Sequence, residues 1–243
     1  MKVAFRPIPI SRSMATSNLI RWNGLASVVG GVLLIISDFL ELLLVGYDLG
    51  EASTTRTYAV VTGLTLLGTV LLLVGLIGLY VGQLENAGLL GLVGFLVTFV
   101  GNVLVAGAVW EATFVVPWLA GEAPELLDEV PTGLLALGFI SSYTLAGLGV
   151  ILFGVATIRA RVFPTAAAVL LIIGVVPVAV WNFVPLPLPD VLLGVAVAWL
   201  GLALFRGGGE GARQAPLSGE YRSKREFLEA TYERLAAVLK EMV

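Results

Sequence analysis

Apolar residues do not alternate with polar ones along this chain; they come in long runs. Six runs stand out, at about 20–45, 58–82, 88–116, 132–158, 164–185 and 190–206, each near 20 residues or longer. Bilayer hydrocarbon is about 30 Å thick and a helix rises about 1.5 Å per residue, so about 20 apolar residues cross it. Continuous runs, rather than a period of two, argue for helices over a barrel. The pattern predicts an all-α, polytopic membrane protein with six transmembrane helices joined by short loops.

Local signals place the ends of these spans. Pro164 stands at a helix start, where its missing N–H costs nothing. Thr132 is in position to cap span four, and Pro189-Asp190 to open span six. Trp22 falls at one boundary, and Trp110, Trp118 and Trp181 fall toward the other, as aromatic belts do. Trp199 sits mid-span, where it suits helix packing. Pro177, inside span five, predicts a kink or a freed carbonyl near Ile173.

Charge then sets direction. Lys2, Arg6, Arg12 and Arg21 lead into span one, Arg159 and Arg161 join spans four and five, and Arg206 ends span six. The alternate loops carry Asp48, Glu51, Glu122, Glu125, Asp128, Glu129 and Asp190, against a single cation, Arg56. Cytoplasmic loops are rich in Lys and Arg, so both termini are expected in the cytoplasm and the acidic face outside. Abundant Gly, Ala, Leu and Val, with Arg over Lys, suggest a bacterial cytoplasmic membrane.

Four regions follow: a basic segment 1–19, a membrane domain 20–206, a flexible linker 207–219 opening on Gly207-Gly208-Gly209, and an amphipathic helix 220–243. In that helix Leu228, Tyr232, Leu235, Leu239 and Met242 are spaced 4, 3, 4, 3, a heptad-like seam. Ser223 and Glu226 can form a capping box at its start. The seam points to pairing between protomers or docking on a cytoplasmic protein. Tyr221 and Phe227 beside Arg222, Lys224 and Arg225 offer the membrane surface instead.

Composition narrows the chemistry. The 243 residues are 58% hydrophobic and 13% charged, against roughly a quarter charged in soluble domains. There is no Cys and no His, which removes disulfides, thiolate chemistry, imidazole-bound haem and histidine bases. No phosphate-binding, nucleophile or metal-ligand motif stands out. No cofactor, no enzymatic activity and no nucleic-acid partner are expected; the expected partners are membrane lipid and a second protein chain, of its own kind or another.

Candidate chemistry lies with charged or amide side chains inside apolar runs. Asp38 is about 26 Å above Arg21, Glu41 about 30 Å, Glu111 about 34 Å above Gly88, and Asn182 about 27 Å above Pro164. All four approach the outer edge of the hydrocarbon. One reading makes them a shallow outward site for a cation or protons, because carboxylates within spans are functional candidates and suit hard cations. The other leaves them solvated on an acidic face. Deeper lie Asn102 and the cluster Ser141, Ser142, Tyr143 and Thr144, with Thr62, Thr65 and Thr69 at helical spacing. These read as a polar path, or as hydrogen bonds between helices and to their own helix carbonyls. Two functions therefore compete: a non-catalytic scaffold or accessory subunit assembling through its bundle and tail helix, and a small transporter or channel. The second requires Asp38, Glu41 and Glu111 to converge.

Overall fold

A computed structural model describes residues 11–45, 53–127, 131–181 and 188–207, with side chains for all of these but 11–17 and 179–181. Among the described residues there is helix and no strand. Helix α1, Ser11–Leu40, runs into a π-helical turn at Glu41–Val45. Helix α2 is Arg56–Glu122, followed by a 3-10 turn at Pro124–Leu126. Helices α3, Gly133–Ala160, α4, Thr165–Trp181, and α5, Val191–Gly207, complete the set.

α2 is not one rod. Its backbone leaves the helical region at Gly88, with φ 56° and ψ −159°, a combination open essentially only to glycine. The arms on either side fold back on each other. The Tyr80 and Phe95 rings stack with centroids 4.4 Å apart. A β-carbon on Gly63 would lie 3.9 Å from Thr113 Cγ2. Both pairs straddle Gly88 almost symmetrically, so residues 56–87 and 89–122 are antiparallel neighbours.

The six resulting rods form a ring. α1 meets the first arm of α2 where a β-carbon on Gly30 would lie 3.0 Å from Gly68 O. The second arm meets α3 at Gly94, 2.8 Å from Phe153 N by the same measure, and α3 meets α4 at Gly154, 3.4 Å from Ala168 O. α4 meets α5 at Gly174, 2.6 Å from Leu193 N, and α1 closes the ring at Gly24, 2.8 Å from Phe205 N. Small residues permit this backbone approach where lipid offers no hydrophobic drive between helices. Inside lie Leu34, Leu76, Phe153, Leu171 and Leu200, all buried.

The outer surface is greasy: Leu134 is 86% exposed and Leu89 76%. Asn18–Val45, Arg56–Glu122 and Gly133–Ala160 are long and apolar enough to cross a membrane, and Thr165–Val178 and Val191–Gly207 are shorter apolar helices. Exposed apolar area on this scale suggests membrane insertion.

Several details differ from expectation. α1 begins before Arg21. Thr132 takes the N-cap position of α3 without a side-chain hydrogen bond, whereas Thr55 caps α2 by accepting from Tyr58 N at 3.2 Å. Pro177 does lie inside its helix, as expected: α4 runs through it to Trp181. Trp199 is 44% exposed rather than packed inside. Pro164 and Asp190 do start helices: Ala167 N and Ala168 N donate to Pro164 O, and Gly194 N donates to Asp190 O at 2.7 Å. The chain divides into a unit Met1–Gly208 and a second, Gly209–Val243. The linker beyond Gly207 and the seam Leu228, Tyr232, Leu235, Leu239 and Met242 lie outside the described residues.

Candidate functional site

Asp38 stands in the last turn of α1 and is only 5% exposed. The antiparallel contact of α1 with α5 brings it to the start of α5. There its Oδ2 accepts a hydrogen bond from Asp190 N at 2.7 Å. The residue before, Pro189, has no N–H, and Leu188 has a positive φ of 57°, so Asp190 N is the first donor after the turn. A carboxylate at a helix N-terminus satisfies an orphan N–H and meets the positive end of the dipole. α1 thus caps α5 from far away in sequence.

Three more carboxyl groups gather near this point. Asp190 itself is half-buried. Burial, and then the Glu41 carboxylate, push its carboxyl up to about 6. Glu41 opens the π-helical turn and is half-buried, as is Glu111 on the second arm of α2. Glu41 and Glu111 both act electrostatically on two phenols, the buried Tyr58 of α2 and the half-buried Tyr143 of α3. Asp190 acts on Tyr143 as well, and Asp38 feels both Asp190 and Glu41. Glu41, Glu111 and Asp190 therefore lie within electrostatic reach of Tyr143 at one end of the ring, and Asp38 is tied to the same end by its bond to Asp190 N. No cation among the described residues enters the field at any of them.

Of the expected trio, Asp38 feels Glu41, while Glu41 and Glu111 act on the same two tyrosines; Asp38 itself is buried rather than solvated. Asn182 lies outside the described residues. Tyr58 and Asp190 were not expected in the site; Asp190 had been read as a loop acid and a helix start. Among the described residues, no three carboxylates stand close enough to hold one metal ion. The arrangement suits proton exchange, or a cation that keeps its water.

Of the bonds expected for the deeper polar groups, those to their own helix carbonyls are the ones made. Asn102 Nδ2 donates to Thr98 O at 2.9 Å, and Thr98 Oγ1 to Gly94 O at 2.6 Å. Ser141 and Ser142 both donate to Gly138 O. Thr62, Thr65 and Thr69 donate to Tyr58 O, Val61 O and Thr65 O. All of these bonds stay within one helix, because a hydroxyl easily reaches the carbonyl one turn back. Among the described residues, none of these bonds runs to another helix. Between described residues, the side-chain pair that does bridge two helices is Gln83 with Thr157: Nε2 donates to Oγ1 at 3.0 Å. Neither was singled out from sequence, Gln83 because it reads as part of a polar turn, Thr157 because one Thr in an apolar run carries no signal. Thr98 and Asn102 also line a cavity of about 30 Å³ in the centre of the ring, otherwise walled by apolar side chains.

Comparisons with protein-family models, with curated proteins and with solved structures produce no match to this chain.

Proposed function

We propose that the chain crosses a bacterial cytoplasmic membrane six times, basic ends inside, and works as a small proton-coupled transporter or channel. The acidic end of the ring is its outward site. One observation carries this reading: Glu41 at the end of α1, Glu111 on the second arm of α2 and Asp190 at the start of α5 all act on Tyr143, and Asp38 feels both Glu41 and Asp190, with no cation among the described residues to offset them. Uncompensated carboxylates in apolar surroundings are costly to keep charged. Proton uptake relieves that cost. Protons are favoured over a directly ligated metal because the carboxylates do not close on one point.

The test is proton flux in vesicles reconstituted with the full chain and loaded with a pH-sensitive dye. A pH jump should discharge faster than in protein-free vesicles, and Asp38→Asn with Glu111→Gln should return it to the protein-free level. Flux that ignores both substitutions overturns the proposal.

The 4, 3, 4, 3 seam favours a second reading, in which the protein is a non-catalytic scaffold or accessory subunit joined through residues 220–243. Deleting that segment should then change the oligomer size in detergent or release a co-purifying partner. An unchanged assembly would count against it.

A further inference from the structure

Gln83 and Thr157 are each only 1% exposed. The Thr157 hydroxyl is fully committed: its Oγ1 donates to Phe153 O at 2.9 Å and accepts from Gln83 Nε2. Gln83 Oε1 is left with no partner. Turning the amide over does not help, because the Thr157 proton is already used and an N–H would then be stranded in place of the oxygen. A buried amide oxygen needs a donor. The side chain is held by its bond to Thr157, so the oxygen cannot swing out to find one.

The position of this pair gives the orphan atom a meaning. Leu79 and Phe153 both line the central cavity. Gln83 is one helical turn beyond Leu79, and Thr157 one turn beyond Phe153, both toward the end that carries Arg159 and Arg161. The polar pair is therefore the next layer below the cavity floor. The cavity, at about 30 Å³, is large enough for a water molecule, and Thr98 and Asn102 give it polar groups. Along the first arm of α2, Thr62, Thr65 and Thr69 fall between Tyr58 and the cavity-lining Leu72.

We infer that Gln83 and Thr157 form an internal water-binding station, and that water there and in the cavity makes the inner half of a proton route starting at the outward carboxylates. The station stands on its own geometry; its use as a route rests on the function proposed above. Water donates one hydrogen to Gln83 Oε1. When a proton arrives from the cavity side, a new O–H bond forms on that water, and its far-side O–H bond breaks as the proton passes to a further water molecule toward the Arg159 end. Gln83 keeps its own protons and only holds the water in line.

The chain offers a clean probe, since Gln214 is the only other glutamine. With Gln214→Ala and ¹⁵N-glutamine, the sole glutamine side-chain amide signal belongs to Gln83. In lipid bilayers, water-edited solid-state NMR should show that amide receiving magnetisation from water while the methyls of Leu76 and Leu200 stay dark. A Gln83 amide as dark as those methyls overturns the inference, whatever the flux. If Gln83 is wet, Gln83→Leu should reduce vesicle proton flux to the protein-free level. Flux indifferent to Gln83→Leu overturns the route. A wet Gln83 with no flux in the unaltered protein upholds the station and overturns the outward-site proposal instead.

Discussion

Single residues decide how the acidic end is built. Asp38 serves both as a charge and as an acceptor for the first N–H of α5, and substitutions separate the two. Asp38→Ala removes the acceptor and should cost about 0.5–2 kcal/mol, the usual range for a lost helix cap. Asp38→Asn keeps an oxygen there and should cost less. Thermal unfolding in detergent, followed by circular dichroism, measures the difference. Asp190 makes a prediction with a definite sign. Its carboxyl titrates near 3.8 when unfolded and at about 6 when folded, so the folded state holds this proton more tightly. Its contribution to stability is full below about pH 4 and is lost as pH rises to about 6. Asp190→Asn should flatten that part of the stability curve, and equal slopes would show that the group is not held as described. Asp38 and Glu111 were legible in the sequence because a carboxylate inside an apolar run is conspicuous. The bond from Asp190 to Asp38 was not, because it joins residues 152 apart, and only the closure of the ring brings them together. Gln83 was hidden for the opposite reason: it stands beside Glu85 and Asn86, which make it look like part of a solvated turn.

At the level of elements, glycines do different jobs, and the structure separates them. Gly94 faces the backbone of Phe153, and its β-carbon would lie 2.8 Å from that N atom. Neither helix can yield there without separating, so Gly94→Ala should destabilise by about 1–3 kcal/mol, the range for overpacking. Gly107, on the same arm, has nothing within 4 Å of a built β-carbon. Gly107→Ala should be neutral or should stabilise by up to about 1 kcal/mol through helix propensity. Comparing the two unfolding midpoints tests the packing of α2 on α3. The hydropathy runs marked each rod and most ends, since a run of the right length and a proline or polar turn are local signals. They did not show that two runs share one helix bent at Gly88, or which rods touch. Contacts depend on which side each glycine faces, and with apolar residues on every side the pattern has no face to read.

For the whole molecule, the antiparallel ring puts Arg21, Arg159 and Arg206 at one end and Glu41, Glu111, Glu125 and Asp190 at the other. If the ring stands across a bilayer, a membrane-impermeant reagent applied to intact cells should reach a cysteine placed at Glu125 and miss one placed at Arg161. Reaction at both positions, or at neither, would contradict six crossings. Charge alone sets an expected direction of insertion, which this labelling tests; the ring was not legible in the sequence.

Gly24 against Phe205 makes the first and last rods ordinary neighbours, so the order in which the ring is written along the gene matters little to its assembly. A polypeptide cut in the turn between α3 and α4, and expressed as two separate fragments, should still come together in the membrane, each half finding the other along two seams rather than one.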